Sequence, residues 1–136
     1  QLFPMEEMDR LLPQADVVAL VLPHSPQTVG LMDEGRIAKM KDDAILLSCG
    51  RGSVLDQEAL ARAMVGGKLW GAALDVTEPE PLPADSPLWE VPRLLITPHV
   101  AGGMRLEVTR KNCIGLALDN LRRYQTGEPL RNLVAR

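Results

Sequence analysis

The 136-residue sequence has no excess of positive charge and no long hydrophobic run. Its 15 Lys and Arg against 18 Asp and Glu give a net charge of −3. This balance argues against a nucleic-acid-binding surface, because phosphate binding needs a clustered cationic face. The longest apolar run, residues 17–22, is far shorter than the ~20 residues that cross a bilayer. We therefore expect neither a nucleic-acid partner nor a membrane segment.

Cysteine and histidine are too sparse to form a metal or disulfide framework. Cys49 and Cys113 form no CxxC motif, and His24 and His99 do not stand at metal-ligand spacing from nearby acids. We predict no metal site and a reducing, cytoplasmic setting. The chain has no initiator methionine and no signal peptide, so we expect it to be a piece of a longer protein.

Four short apolar runs predict β-strands, and the amphipathic stretches between them predict helices. The runs are residues 17–22, 44–47, 70–76 and 94–96. The first contains no polar residue, which predicts a strand covered on both faces, as in a parallel sheet. Strands that alternate with helices favour an α/β fold with a doubly wound parallel sheet, and this chain resembles the later part of such a domain.

Two aspartates and a glycine mark the predicted helix boundaries. Asp33 predicts the start of a short helix. Asp56 predicts the start of another, because Leu55 and Leu60 stand at the spacing of a hydrophobic staple. A last helix is predicted from about residue 104 to residue 126, where Gly127 ends the helical pattern.

Four polar residues fall at the ends of the predicted strands. Arg51 follows the second strand, Asp75 ends the third, Glu80 comes five residues later, and His99 follows the fourth. Because parallel strands end at the same edge of a sheet, these side chains are expected to converge there, where α/β sheets bind ligands.

These residue types suit one another chemically. Arg51 offers a planar fork that binds a carboxylate through two hydrogen bonds. His99 can transfer a proton near neutral pH, and a carboxylate beside it would orient the ring. Glu80 is the predicted partner, with Glu78 as the alternative. Asp75 accepts a hydrogen bond from an amide or a ribose, or it caps a turn.

Several segments, which together include these residues, form a recognisable series along the chain. The segments are Ala15-Asp16-Val17-Val18, Leu22-Pro23, Pro26-Gln27-Thr28-Val29-Gly30-Leu31, Cys49-Gly50-Arg51-Gly52, Ala73-Leu74-Asp75-Val76, Glu80-Pro81-Leu82-Pro83, Ser86-Pro87-Leu88-Trp89 and Thr97-Pro98-His99-Val100-Ala101-Gly102. In these segments, which follow in order over nearly the whole chain, the sequence resembles the NAD-binding half of the D-isomer-specific 2-hydroxyacid dehydrogenases. Ser-Pro-Leu-Trp resembles their glyoxylate/hydroxypyruvate reductase branch.

The resemblance implies hydride transfer between NAD or NADP and a small 2-oxo or 2-hydroxy acid. Arg51 would hold the substrate carboxylate and carbonyl oxygen, His99 would exchange a proton with that oxygen, and Glu80 would tune His99. Asp75 would position the nicotinamide. Arg51 and His99 also match positions that line the cofactor in the family. So do Pro23, Thr28, Cys49, Gly50 and Gly102.

The main departure from the family pattern is that the sequence contains no GxGxxG motif. The first βαβ unit of the Rossmann-like sheet and the substrate domain are therefore expected to be missing. We predict a partial dinucleotide-binding domain over residues 1–103, and a long helix and tail over 104–136 that returns to the missing domain. A GxGxxG is expected within about 60 residues upstream, because a βαβ unit takes ~30 residues. The chain alone is expected to be inactive.

Smaller departures lie in two loops. His24 and Ser25 stand where relatives often have Leu-Thr, and Thr77 replaces a common Phe. We interpret His24 as an exposed or hydrogen-bonded loop residue rather than a second base, and Cys49 as an inert thiol.

Two other kinds of function remain compatible with the residues. Some members of the family act as dinucleotide-sensing corepressors and keep the same site residues. A truncated domain could instead be purely structural and associate through exposed sheet-edge and helix surfaces. For the enzyme we expect a homodimer.

Overall fold

The structure, a computed structural model, describes residues 1–104 and 106–133. It contains one four-stranded sheet, in which neighbouring strands pair in chain order and all three pairs are parallel. The strands are β1 (Val17–Leu20), β2 (Ala44–Ser48), β3 (Leu69–Leu74) and β4 (Leu94–Ile96). The predicted α/β fold with a parallel, Rossmann-like sheet is confirmed, and the carboxyl ends of all four strands lie at one edge.

The described residues also form four α-helices and four short 3₁₀ segments. The helices are α1 (Met8–Leu11), α2 (Glu34–Lys39), α3 (Gln57–Val65) and α4 (Glu107–Thr126), and the 3₁₀ segments are Met5–Glu7, Leu12–Gln14, Gly52–Val54 and Pro87–Glu90. Both predicted caps are confirmed: Asp33 accepts a hydrogen bond from Arg36 N–H at 2.9 Å, and Asp56 accepts one from Ala59 N–H at 2.9 Å. These bonds satisfy backbone donors that have no partner inside the helix.

The hydrophobic core joins one face of the sheet to α2 and α3. Leu46 and Leu74 from the sheet and Leu60 from α3 have no exposed surface, and Ile37 from α2 is 2% exposed. Burial of one such side chain contributes about 1.5–3 kcal/mol. This packing holds the strands in register and so fixes the edge where their carboxyl ends lie.

The opposite face of the sheet is more exposed. Val17 in β1 is 51% exposed and Leu95 in β4 is 62% exposed, whereas Leu20 in β1 is buried. The prediction that residues 17–22 are covered on both faces is therefore wrong. Side chains alternate along a strand, and the packing of α2 and α3 buries only one of the two sets.

The chain divides into two compact units, Gln1–Ala101 and Gly102–Arg136. In the second unit α4 begins at Glu107, three residues after the predicted start, and Arg105 and residues 134–136 lie outside the described residues. Gly127 ends α4 in the left-handed conformation at φ 72°, which glycine adopts without steric cost. In the described parts of the chain, no helix combines the length and apolar composition needed to cross a membrane.

Candidate functional site

The polar residues predicted to form a site follow three neighbouring strands of the first unit. Arg51 comes three residues after β2, Asp75 directly after β3, and His99 three residues after β4. Because β2, β3 and β4 are parallel neighbours, all three residues lie at the carboxyl edge. Ligands of open α/β sheets bind at this edge.

His99 and Glu80 form a direct pair. The distance from His99 Nδ1 to Glu80 Oε1 is 2.9 Å, and both side chains are partly exposed. With Nδ1 engaged by the carboxylate, Nε2 is the ring nitrogen that can meet a ligand. The alternative, Glu78, contributes its backbone carbonyl, which accepts a hydrogen bond from Gln57 Nε2 at 3.1 Å. The structure thus places Glu80 beside the imidazole.

The backbone at His99 adopts an uncommon conformation. Its φ of 52° lies in the left-handed region, which non-glycine residues occupy at some energetic cost and often at functional sites. The His99 N–H donates to the carbonyl oxygen of Thr97 at 3.0 Å. The residue in this tight turn is the one whose imidazole contacts Glu80.

Asp75 holds the loop that carries His99. Asp75 is 4% exposed. Its Oδ1 accepts hydrogen bonds from Thr97 Oγ1 at 2.5 Å and from Val100 N–H at 2.8 Å, and its Oδ2 accepts one from Ala101 N–H at 2.8 Å. These donors lie on both sides of His99 in the sequence, so the carboxylate of Asp75 holds the loop on either side of that residue. Thr97 is not predicted from the sequence as a partner of Asp75. The only signal for Thr97 in the sequence is its position two residues before His99, in Thr-Pro-His.

The same hydrogen bonds set the charge of Asp75. Burial raises its pKa, but the hydrogen bonds from Thr97, Val100 and Ala101 favour the carboxylate more strongly, and the pKa lies below its usual value of 3.8. Asp75 is therefore ionised at neutral pH.

Replacement of Asp75 by asparagine is expected to lower the free energy of unfolding at pH 7 by about 2–3 kcal/mol, because hydrogen bonds to a charged acceptor are stronger than those to a neutral one. The depressed pKa adds stability that is complete above the unfolded-state pKa of ~3.9 and is lost as the pH falls towards the lower folded-state value. Urea unfolding between pH 3 and pH 7 measures both effects. The loss should shrink at the acid end; a loss independent of pH contradicts this account.

Two close backbone contacts fix the turn that carries Arg51. A Cβ on Gly50 would lie 2.4 Å from the carbonyl oxygen of Leu22, and a Cβ on Gly52 would lie 2.2 Å from that of Thr77. Any larger residue at either position would therefore displace the turn. Arg51 stands between the two glycines, which anchor it to the segments after β1 and β3.

The guanidinium of Arg51 does not join the His99–Glu80 pair. Arg51 is exposed, and its Nη1 donates to the carbonyl oxygen of Gly50 at 2.7 Å. In residues 1–104 and 106–133 it makes no hydrogen bond to Glu80 or His99. Its remaining donors are free to bind a carboxylate.

The predicted cofactor-lining residues divide by exposure. Pro23 and Cys49 are exposed at the carboxyl edge, although Ser48, the last residue of β2, is buried. Thr28 is 8% exposed, and its hydroxyl donates to the carbonyl oxygen of Pro23 at 2.6 Å, which shapes the loop after β1. Gly50 is buried. Gly102 belongs to the second unit and is exposed.

A cleft of about 530 Å³ adjoins the pair on the Glu80 side. Asp75 and Glu80 contribute to its lining together with Trp89 and Ile96, whereas Arg51 and His99 do not. The cleft therefore borders only part of the predicted site. Among the residues that the structure describes, no group of three His, Cys, Asp or Glu side chains is arranged to hold a metal ion.

Comparison with known proteins identifies the family of the chain. Residues 1–101 match the family described as D-isomer specific 2-hydroxyacid dehydrogenase, NAD binding domain. The chain is 41% identical to glyoxylate/hydroxypyruvate reductase B of Pectobacterium carotovorum over 128 residues, which cover 94% of this chain and 39% of that protein. The corresponding enzyme of Yersinia pestis is 41% identical over 127 residues, 93% of this chain and 38% of that protein.

Solved structures give the same result. A D-isomer specific 2-hydroxyacid dehydrogenase from Xanthobacter autotrophicus, in complex with NADPH and MES, superposes with a TM-score of 0.85 at 36% identity and covers 96% of this chain and 41% of its own. An NADPH-dependent glyoxylate/hydroxypyruvate reductase from Sinorhizobium meliloti, in complex with NADP and sulfate, gives a TM-score of 0.85 at 27% identity, over 97% of this chain and 42% of its own. This chain spans about two fifths of the length of these relatives. It belongs to the D-isomer-specific 2-hydroxyacid dehydrogenase family, and its residues 1–101 match the NAD-binding domain.

Proposed function

We propose that the protein to which this chain contributes reduces small 2-oxo acids of the glyoxylate or hydroxypyruvate type to 2-hydroxy acids, with NADH or NADPH as the reductant. The observation that carries the proposal is the 2.9 Å contact between His99 and Glu80 at the carboxyl edge of the sheet. Arg51 lies at the same edge, three residues after the end of β2. The relatives named glyoxylate/hydroxypyruvate reductase support the substrate class.

The residues at the edge fit a nicotinamide cofactor. Asp75 is ionised, and its Oδ2 accepts a hydrogen bond from Ala101 N–H, which leaves acceptor capacity for a carboxamide N–H. Pro23 and Cys49 are exposed beyond β1 and β2 and offer apolar contact surface for a ring. When bound, the cofactor supplies the hydride. Because solved relatives hold NADPH or NADP, NADPH is the first cofactor to test.

Arg51, His99 and Glu80 have different tasks in the proposed reaction. Arg51 binds the substrate carboxylate through its planar fork and holds the carbonyl oxygen. His99 donates a proton from Nε2 to the carbonyl oxygen during reduction and removes it during oxidation. Glu80 accepts the hydrogen bond from Nδ1–H and so fixes the tautomer and the orientation of the ring.

The test is turnover by the product of the complete reading frame that contains these residues. We expect loss of NADPH absorbance with glyoxylate and with hydroxypyruvate, and much slower reduction of acetaldehyde, which lacks a carboxylate. The 136-residue chain alone is expected to show no turnover. Tight NADPH binding without reduction of either 2-oxo acid would contradict the proposal and favour a dinucleotide-sensing role.

A further inference from the structure

A side-chain hydrogen bond connects the loop after β1 to the turn that carries Arg51. His24 Nδ1 lies 2.8 Å from Ser53 Oγ. His24 belongs to the loop between β1 and α2, and Ser53 lies in the 3₁₀ segment Gly52–Val54, two residues after Arg51. In the described part of the chain, this is the one side-chain to side-chain hydrogen bond between that loop and the turn. The bond therefore reaches the candidate site from a residue outside it.

The main chain of Ser53 is attached to the same loop. Its carbonyl oxygen accepts a hydrogen bond from Gly30 N–H at 2.8 Å, and Val54 N–H donates to the carbonyl oxygen of Arg51 at 3.1 Å. Ser53 is thus held at its backbone by Gly30 and at its side chain by His24. The backbone of Arg51 is held by Val54, the residue after Ser53. The Arg51 side chain is exposed, and it donates a hydrogen bond to the carbonyl oxygen of the preceding residue, Gly50. Its direction in space therefore depends on how rigidly the turn is held.

We propose that His24 is a positioning residue, which through Ser53 holds the turn so that the Arg51 guanidinium meets the carboxylate of the 2-oxo acid. This inference rests on the proposed function and adds a residue to it. A serine hydroxyl both donates and accepts. The hydrogen bond to His24 Nδ1 therefore forms whether or not Nδ1 carries a hydrogen. His24 acts here by geometry, and its contact with the substrate is not required.

The test compares His24→Leu and Ser53→Ala with the wild-type protein from the complete reading frame. One hydrogen bond contributes about 1 kcal/mol, so each variant is expected to raise the KM for glyoxylate and the Kd of oxalate, a dicarboxylate that probes Arg51, about fivefold. The kcat and the Kd of NADPH stay unchanged. His24→Asn places an amide near the position of Nδ1 and should restore both constants. The double variant should be no worse than either single one.

Gln27→Leu is the matched control, because Gln27 is exposed in the same loop and the same residue is introduced. It should leave all constants at wild-type values. Unchanged oxalate affinity and KM in both His24→Leu and Ser53→Ala would overturn the inference. So would parallel losses in kcat, NADPH affinity and Tm that His24→Asn fails to restore. Oxalate binding by calorimetry reads the role of His24 without turnover. A wild-type protein that binds oxalate but reduces no 2-oxo acid therefore contradicts only the proposed function, and one that binds no oxalate contradicts both.

Discussion

Replacement of His99 by alanine is expected to lower kcat for glyoxylate reduction by about 10²–10⁴, the usual contribution of a general acid. In the proposed reaction the substrate oxygen gains a proton as its carbon gains the hydride, and the His99 imidazole is the proposed donor of that proton. Its Nδ1 is engaged by Glu80 at 2.9 Å, which leaves Nε2 for the substrate. The affinity for NADPH should change little, because the cofactor binds without this proton transfer.

Glu80 provides a graded comparison for the same step. Glu80→Gln keeps an oxygen that can accept the hydrogen bond from His99 Nδ1–H but removes the charge, whereas Glu80→Leu removes both. We expect the loss of kcat to increase from the glutamine to the leucine variant, with His99→Ala the least active. Steady-state rates at saturating glyoxylate measure this order. A His99→Ala protein that keeps more than about a tenth of the wild-type kcat would remove His99 from the role of general acid.

The strands and the edge could be predicted from the sequence because both follow from local patterns. Apolar runs at residues 44–47 and 94–96 are too short for helices and are bounded by polar residues or proline. Asp33 and Asp56 each satisfy a backbone N–H within three residues, so sequence spacing alone predicts those helix starts. Parallel pairing then brings the strand ends to one edge without further information.

The contacts inside the site could not be predicted in the same way, because they depend on how loops fold back. The spacing from Asp75 favours Glu80 over Glu78, but only the folded loop places the Glu80 carboxylate beside His99. Thr97 and Ser53 carry common hydroxyl side chains, and their partners Asp75 and His24 are 22 and 29 residues away in the sequence. The uncovered sheet face was missed for a related reason: a run of apolar residues reports what can be buried, and the elements that pack on it decide what is buried.

Arg51→Lys is expected to lower kcat/KM for glyoxylate by about 10²–10³, the cost of losing a donor to the reacting oxygen. Lysine keeps the positive charge but cannot form two parallel hydrogen bonds with a carboxylate while also holding the carbonyl oxygen. Close packing of the turn limits how far its backbone can shift to compensate. Gly50 and Gly52 pack so closely on Leu22 and Thr77 that their Cβ positions would lie 2.4 Å and 2.2 Å from carbonyl oxygens.

The substrate's own carboxylate separates this effect from a general loss of structure. Acetaldehyde lacks the carboxylate, so its slow reduction should fall much less in Arg51→Lys than the reduction of glyoxylate does. Arg62→Lys is the matched control, because Arg62 lies on α3, where its Nε is 3.4 Å from Glu34, and it should keep the wild-type kcat/KM. An equal loss with both substrates in Arg51→Lys would mean that the guanidinium supports the turn rather than the substrate. The carboxylate-binding role of Arg51 would then be wrong, while the role of His99 as proton donor would stand on its own evidence.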